Sequence, residues 1–211
     1  MKYGIVVIAA LLSGCAQRTE ELPFFRSAAM TPEWLTTDDA SSPSMHRVAS
    51  FRAIDQTGST ITDKSFAGRV TVAHFFFTSC GDVCPTTTHN LQRMLRELPD
   101  KRVQVLSYSV TPARDSIAEL RRFIARHHVE DRRWHFLTGD APEFESLARN
   151  SYFVRLGADT TYGVSNIAHT ESILLVDSRG RLRGVYAGSL PLEIDRLRDD
   201  VQLLLREGHS G

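Results

Sequence analysis

The chain has 211 residues, of which 25 are basic and 25 acidic, with 42% hydrophobic residues and only three cysteines. That length fits one domain or two small ones. Balanced charge argues against a nucleic-acid-binding surface and against a polybasic membrane patch. A domain of about 160 residues buries close to 70% of its unfolded surface, so no metal is needed for folding.

Met1-Lys2-Tyr3 precedes the apolar run from Gly4 to Leu12, and the small residues Ser13 and Gly14 lead to Cys15. This is the pattern of a secretory signal peptide, too short to span a bilayer as an ordinary helix. Leu12-Ser13-Gly14-Cys15 looks like a bacterial lipobox. It implies cleavage after residue 14, a signal peptide over 1–14 and a lipid on the Cys15 thiol. The plainer alternative is an uncleaved segment or an ordinary signal peptide in which Cys15 is incidental. Either way the mature chain is expected in the cell envelope on the extracytoplasmic face (the periplasmic side of a Gram-negative cell), where disulfides persist. Residues 15–46 read as a tether. Thr36-Thr37-Asp38-Asp39-Ala40-Ser41-Ser42-Pro43-Ser44 is polar and turn-rich, which suits a mostly extended arm, although Leu22-Pro23-Phe24-Phe25 and Trp34-Leu35 are less linker-like.

The domain is expected over 47–208. Alternation through Val48, Phe51 and Ile54, followed by Asp55-Gln56-Thr57-Gly58-Ser59, suggests an N-terminal β-hairpin. Residues 70–77 are dense in β-branched and aromatic side chains and read as a buried strand. A helix over about 85–98 follows, with Leu91, Met94, Leu95 and Leu98 at helical spacing. Residues 103–110 form a second strand, and Asp115 or Ser116 is positioned to cap a helix running to about 127. Residues 134–137 read as a short strand, and Asp140 as the cap of a helix to about 149. Residues 152–156 read as a further short strand, and a polar loop then leads to His169. Strands at 170–176 and 182–186 flank the turn Asp177-Ser178-Arg179-Gly180. A last helix over about 190–206 is expected to bury Leu192, Ile194, Leu197, Val201 and Leu204 and to end at Gly208. The order predicts an α/β domain with a central mixed sheet and helices on both faces.

The first strand ends in Thr78-Ser79-Cys80-Gly81-Asp82-Val83-Cys84-Pro85. Proline is tolerated in the first helical turn, so the cysteines sit where the strand hands over to a helix. A four-residue offset puts both sulfurs on one side. Free N–H groups and the positive end of the helix dipole are expected to favour thiolate. Such a pair can close into a disulfide or chelate a soft metal, and two inert core cysteines are the plainer alternative.

These residues resemble the Sco/SenC family of copper chaperones. The resemblance runs from about residue 47 to 206. It rests on Cys80-Gly81-Asp82-Val83-Cys84-Pro85, Ser109-Val110-Thr111-Pro112-Ala113-Arg114-Asp115, Trp134-His135-Phe136-Leu137-Thr138-Gly139, His169-Thr170 and Val176-Asp177-Ser178-Arg179-Gly180. It implies a thioredoxin-like fold and a role in cytochrome c oxidase assembly. Copper, Cu(I) or Cu(II), would be held by Cys80, Cys84 and His169. The partner would be the oxidase subunit carrying the copper site or another copper or thiol carrier. Gly81 stands where the family has proline and loosens the loop. Thr111 stands where the family has aspartate, which is expected to alter local hydrogen bonding more than ligation.

The donor set is chemically coherent. Thiolates with one imidazole suit copper, whereas a structural zinc site wants four ligands and would have to recruit Asp82, His74 or His89. The expectation is a lipid-anchored copper metallochaperone, not an enzyme in its main role. The rival is a thiol–disulfide oxidoreductase in which Cys80 and Cys84 form a redox disulfide, acting for example on a partner's copper-site cysteines. The charged runs Arg121-Arg122 and Asp131-Arg132-Arg133 are expected to be solvated faces.

Overall fold

The computed structural model describes residues 21–81, 83–154 and 171–208. Cys15, Asp82, His169 and the segment expected as a signal peptide lie outside them.

The apolar run before the cysteines becomes the centre of the molecule. Strand β3 (Val70–Phe76) is buried at every position and pairs in parallel with β4 (Val103–Ser109), which pairs in parallel with β5 (Trp134–Thr138). Helix α2 (Val83–Glu97) connects β3 to β4, and α3 (Ile117–Arg126) connects β4 to β5. The predicted hairpin is β1 (Arg52–Asp55) with β2 (Thr60–Thr62), added antiparallel to β5. On the other side of β3 lies β6 (Ser172–Val176), antiparallel, and β7 (Leu182–Ala187) closes that edge. Among the described residues the strand order is β2-β1-β5-β4-β3-β6-β7. None of the described helices is long and apolar enough to cross a membrane.

The period of two along β3 separates two cores. Val70, Val72 and Phe76 face α2, α3 and the last helix α5 (Pro191–Glu207), whereas Ala73 and Phe75 face an aromatic cluster with Tyr108, Phe51 and Phe144. In α5, Ile194, Leu197, Val201 and Leu204 form the buried stripe. Leu192 does not join it and is 78% exposed. Two residues before Ile194 it is displaced by about 200° around the helix, which puts it on the solvent side.

The short α4 (Ala141–Ser146) is capped by Asp140 as expected and runs into a π-helical turn, Leu147–Ser151. Residues 152–154, expected to be extended, are not a strand. Tyr152 N–H bonds back to Leu147, Phe153 has a φ of 56°, and the Tyr152 hydroxyl meets that of Tyr108 at 3.0 Å. The anticipated remainder, 155–156, lies outside the described residues.

The region expected as an extended arm packs on the domain. Phe24 bridges to Glu33, Phe25 N–H donates to Leu182 at the start of β7, and α1 (Thr37–Ser41) helps Phe24, Ala40 and Met45 form a small core of their own. Arg133 is also not a solvated charge. Its guanidinium donates to the carbonyls of Leu95 (2.6 Å), Leu98 and Asp100 (3.0 Å), capping the C-terminus of α2.

The imidazole of His74 in β3 is sealed into the core. Trp134 Nε1–H donates to Ser107 Oγ (2.6 Å), leaving that hydroxyl to donate to His74 Nε2 at 2.7 Å. Burial lowers the His74 pKa to about 4, whereas an unfolded histidine titrates near 6.5. Between these values the unfolded chain binds one more proton. Stability from this group is therefore complete above about pH 6.5 and falls by about 3 kcal/mol as pH drops through 4. Urea unfolding across this range is expected to show a steeper acid loss for wild type than for His74→Gln. Equal slopes would contradict the assignment.

Candidate metal centre

The handover from β3 to α2 begins after Phe76 and is complete at Val83, the first residue of the helix. Cys80 N–H bonds to the Phe77 carbonyl at 3.2 Å, and the Cys84 N–H donates to Cys80 Sγ at 3.4 Å. The Cys80 sulfur therefore sits at the N-terminal mouth of α2, where unpaired amides favour negative charge. Cys84 occupies the first helical turn with Pro85 beside it, as anticipated. Cys80 is buried and Cys84 half-buried, and neither is in a disulfide.

The expected thiolate stabilisation does not extend to Cys84. Its thiol is pushed up from the ordinary cysteine range, first by the hydrogen bond with Cys80, then by burial and by the neighbouring charges of Cys80 and Asp115. A backbone contact with Phe77 acts in the opposite sense. Two adjacent sulfurs cannot both lose protons cheaply in a half-buried site. A cation held between them removes that repulsion.

Asp115 was anticipated only as a helix cap. Ser116 performs that task, accepting from the Glu119 N–H. Asp115, buried at 1% exposure, instead accepts from the Thr78 N–H (3.3 Å), the Thr78 hydroxyl (2.6 Å), the Ser109 hydroxyl (2.6 Å) and the Thr111 hydroxyl (3.0 Å). It thus clamps the loop two residues before Cys80 to the end of β4. The threonine at 111 supplies one of these donors, which an ionised aspartate in its place cannot do. Asp115→Asn is expected to weaken the clamp and to remove a negative charge facing Cys84. The thiolate absorbance of the pair should then appear at lower pH than in wild type, and an unchanged or alkaline-shifted titration would contradict this electrostatic role.

Gly81 has no structural obligation: a Cβ there meets nothing within 4 Å. His74 lies in the core on Ser107, and His89 is exposed on α2, so neither is part of the cysteine loop. No group of three or more metal-binding side chains is assembled among the described residues. The third expected ligand, His169, lies outside them, as do Asp82 and Cys15.

The described chain resumes at Glu171. Its carbonyl accepts from the Gly188 N–H at 2.6 Å, and a Cβ at Gly188 would lie 2.8 Å from Thr87 Cγ2, one helical turn beyond Cys84. Asn90 of α2 donates to the Gly188 carbonyl at 2.9 Å and ties the same three elements together. Because β6 is antiparallel to β3, with Ile173 opposite His74, the chain enters β6 at the end of the sheet where β3 delivers the cysteines.

The SCO1/SenC family model matches residues 39–205. The SCO1 protein homolog of Bacillus subtilis is 28% identical over 163 residues, covering 76% of this chain and 83% of that protein. The structure of Bradyrhizobium japonicum ScoI with copper bound superposes with a TM-score of 0.63 at 29% identity, covering 75% of this chain and 99% of that one. BsSco, a member of the Sco family of cytochrome c oxidase assembly proteins in which a disulfide switch was identified, superposes with a TM-score of 0.67 at 27% identity. It covers 76% of this chain and 94% of that one.

Proposed function

The chain belongs to the SCO1/SenC family and has its thioredoxin-like fold, and from that premise we propose that it is a copper metallochaperone. In this reading Cys80 and Cys84 supply two thiolates and His169 an imidazole, a soft set suited to Cu(I) that also accepts Cu(II). The observation that carries it is the Cys84 N–H on Cys80 Sγ at the mouth of α2, with Glu171 beside the same helix. Glu171 follows His169 by two residues, a stretch of at most about 7 Å, which supports His169 as the third ligand. A three-ligand site leaves room for an incoming ligand from a recipient during transfer.

The recipient is the copper site of a cytochrome c oxidase subunit, or another copper or thiol carrier. The chain is held at the extracytoplasmic face of a membrane by a lipid on Cys15. Leu12-Ser13-Gly14-Cys15 supports that part of the reading. Copper is cargo here, and the main role is not enzymatic. Against an oxidoreductase, three residues separate Cys80 from Cys84, and an imidazole at His169 has no duty in simple thiol–disulfide exchange. Oxidation of the pair to a disulfide, releasing two protons and two electrons, would remove both sulfur ligands and stop loading.

Anaerobic titration of the reduced protein with Cu(I) against a competing chelator tests this. One copper per chain is expected, with none retained after disulfide formation. Loading unaffected by oxidation would reject the site.

A further inference from the structure

A cavity of about 480 Å³ lies at the opposite end of the sheet from the cysteines. Glu21, Leu22 and Trp34 of the N-terminal segment line it, together with Arg69 before β3, Arg179 in the β6–β7 turn and Leu205 near the end of α5. Val70 at the start of β3 also faces it, and the seven residues of that strand separate cavity and cysteine loop by about 20 Å.

Three observations bear on what covers this end. The first is chain length. Glu21 is six residues beyond Cys15, and six residues span at most about 22 Å. A lipid on Cys15 therefore keeps the cavity close to the headgroups. The second is how the segment is held. Buried Arg183 donates to the carbonyls of Leu22 (2.8 Å) and Pro23 (3.1 Å), and Arg181 to that of Ala40 (2.8 Å). Both guanidinium groups stack on the Phe24 ring, at 4.2 and 4.8 Å. The segment is thus fastened to the domain at this end. The third is Trp34, which is 62% exposed while Trp134, the other tryptophan of the chain, is fully buried. An indole with one apolar and one polar edge is at home at the boundary between headgroups and acyl chains.

We propose that this end of the domain lies against the phospholipid surface, with Trp34 seated at the headgroup–acyl boundary and the cysteine loop held away from the membrane. The proposal rests on the reading of Cys15 as lipidated. Exposed Arg69 and Arg179 are placed to meet lipid phosphates, but exposed Glu21, Asp38 and Asp39 balance them. The indole carries the contact, and salt has little effect on it. A recipient site that meets Cys80 and Cys84 accordingly projects from the bilayer by about 20 Å or more.

The test uses the full chain purified from the membranes of the cells that make it and reconstituted into phosphatidylcholine/phosphatidylglycerol vesicles, with ordinary or brominated acyl chains. The expected result is flotation with the vesicles and loss of most Trp34 emission in brominated lipid, whereas Trp34→Phe leaves only unquenched Trp134. Flotation with Trp34 unquenched would overturn the orientation and leave lipid attachment standing. Failure to float, with no lipid on Cys15 by mass spectrometry, would overturn both. Concentration-dependent shielding of Trp34 from a water-soluble quencher in detergent would assign this face to a second copy of the chain and overturn the membrane contact.

Discussion

Cys84→Ser is expected to lose Cu(I) in competition with a chelator that wild type resists. The substitution removes one of two sulfurs and leaves a hydroxyl that is a hard, protonated ligand at neutral pH. It keeps the local fold, because position 84 still donates its N–H to Cys80 Sγ and the first turn of α2 tolerates serine. Replacing an outer-shell partner of a metal ligand typically weakens binding about 10- to 100-fold. Loss of a ligand itself should exceed about 100-fold on that scale. Cys80→Ser is expected to be at least as severe, since Cys80 is the sulfur that faces the helix mouth. Stoichiometric Cu(I) retained by either variant under competition would rule the pair out as the ligands.

Asp177→Ala is expected to produce a large loss of stability from a single side chain outside the site. In the β6–β7 turn its carboxylate accepts from the backbone N–H of Arg179 (2.9 Å) and of Arg181 (3.0 Å). It also accepts from Arg181 Nε at 2.7 Å and faces Arg183 Nη1 at 3.5 Å. Arg183 is 3% exposed and Arg181 9%. Deleting the carboxylate leaves two largely buried guanidinium groups short of countercharge, a change that costs about 3–5 kcal/mol when a buried pair is broken. For a domain of this size that corresponds to a fall in melting temperature of about 6–20 °C. Glu207 remains on Arg183 (2.8 Å) and limits the damage on that side. The exposed pair Arg149–Glu145 is the control. Glu145→Ala should change stability by less than about 1 kcal/mol. Equal effects from the two substitutions would show that the turn is held by its backbone rather than by the buried ions.

The centre of this fold is legible because its signals are local. The buried run before Cys80, the proline after Cys84 and the 3.6-residue stripes of α2 and α5 each declare themselves within one turn or strand. What stayed hidden depends on distant partners. Asp115 resembles a cap because capping is a local signal, whereas its bond to Thr78 joins residues 37 apart. Arg133 sits in a charged run that looks solvated, yet its guanidinium reaches carbonyls in the last turn of α2 and just beyond it, 33 to 38 residues earlier. The N-terminal segment lacks periodicity, and it is held by Arg181 and Arg183, 141 to 161 residues later. Leu192 illustrates a different limit. An apolar residue at the start of a helix resembles part of the stripe, but its angle about the axis decides which side it takes. The raised Cys84 thiol follows from the proximity of Cys80 in three dimensions, which spacing alone does not quantify.

The most direct test of the three-ligand copper site is X-ray absorption spectroscopy of the Cu(I)-loaded protein, with wild type compared against His169→Ala. The account predicts two sulfurs and one nitrogen around copper in wild type, with the nitrogen lost and affinity reduced in the variant. A sulfur-only shell in wild type, or a nitrogen that persists after His169 is replaced, would contradict it.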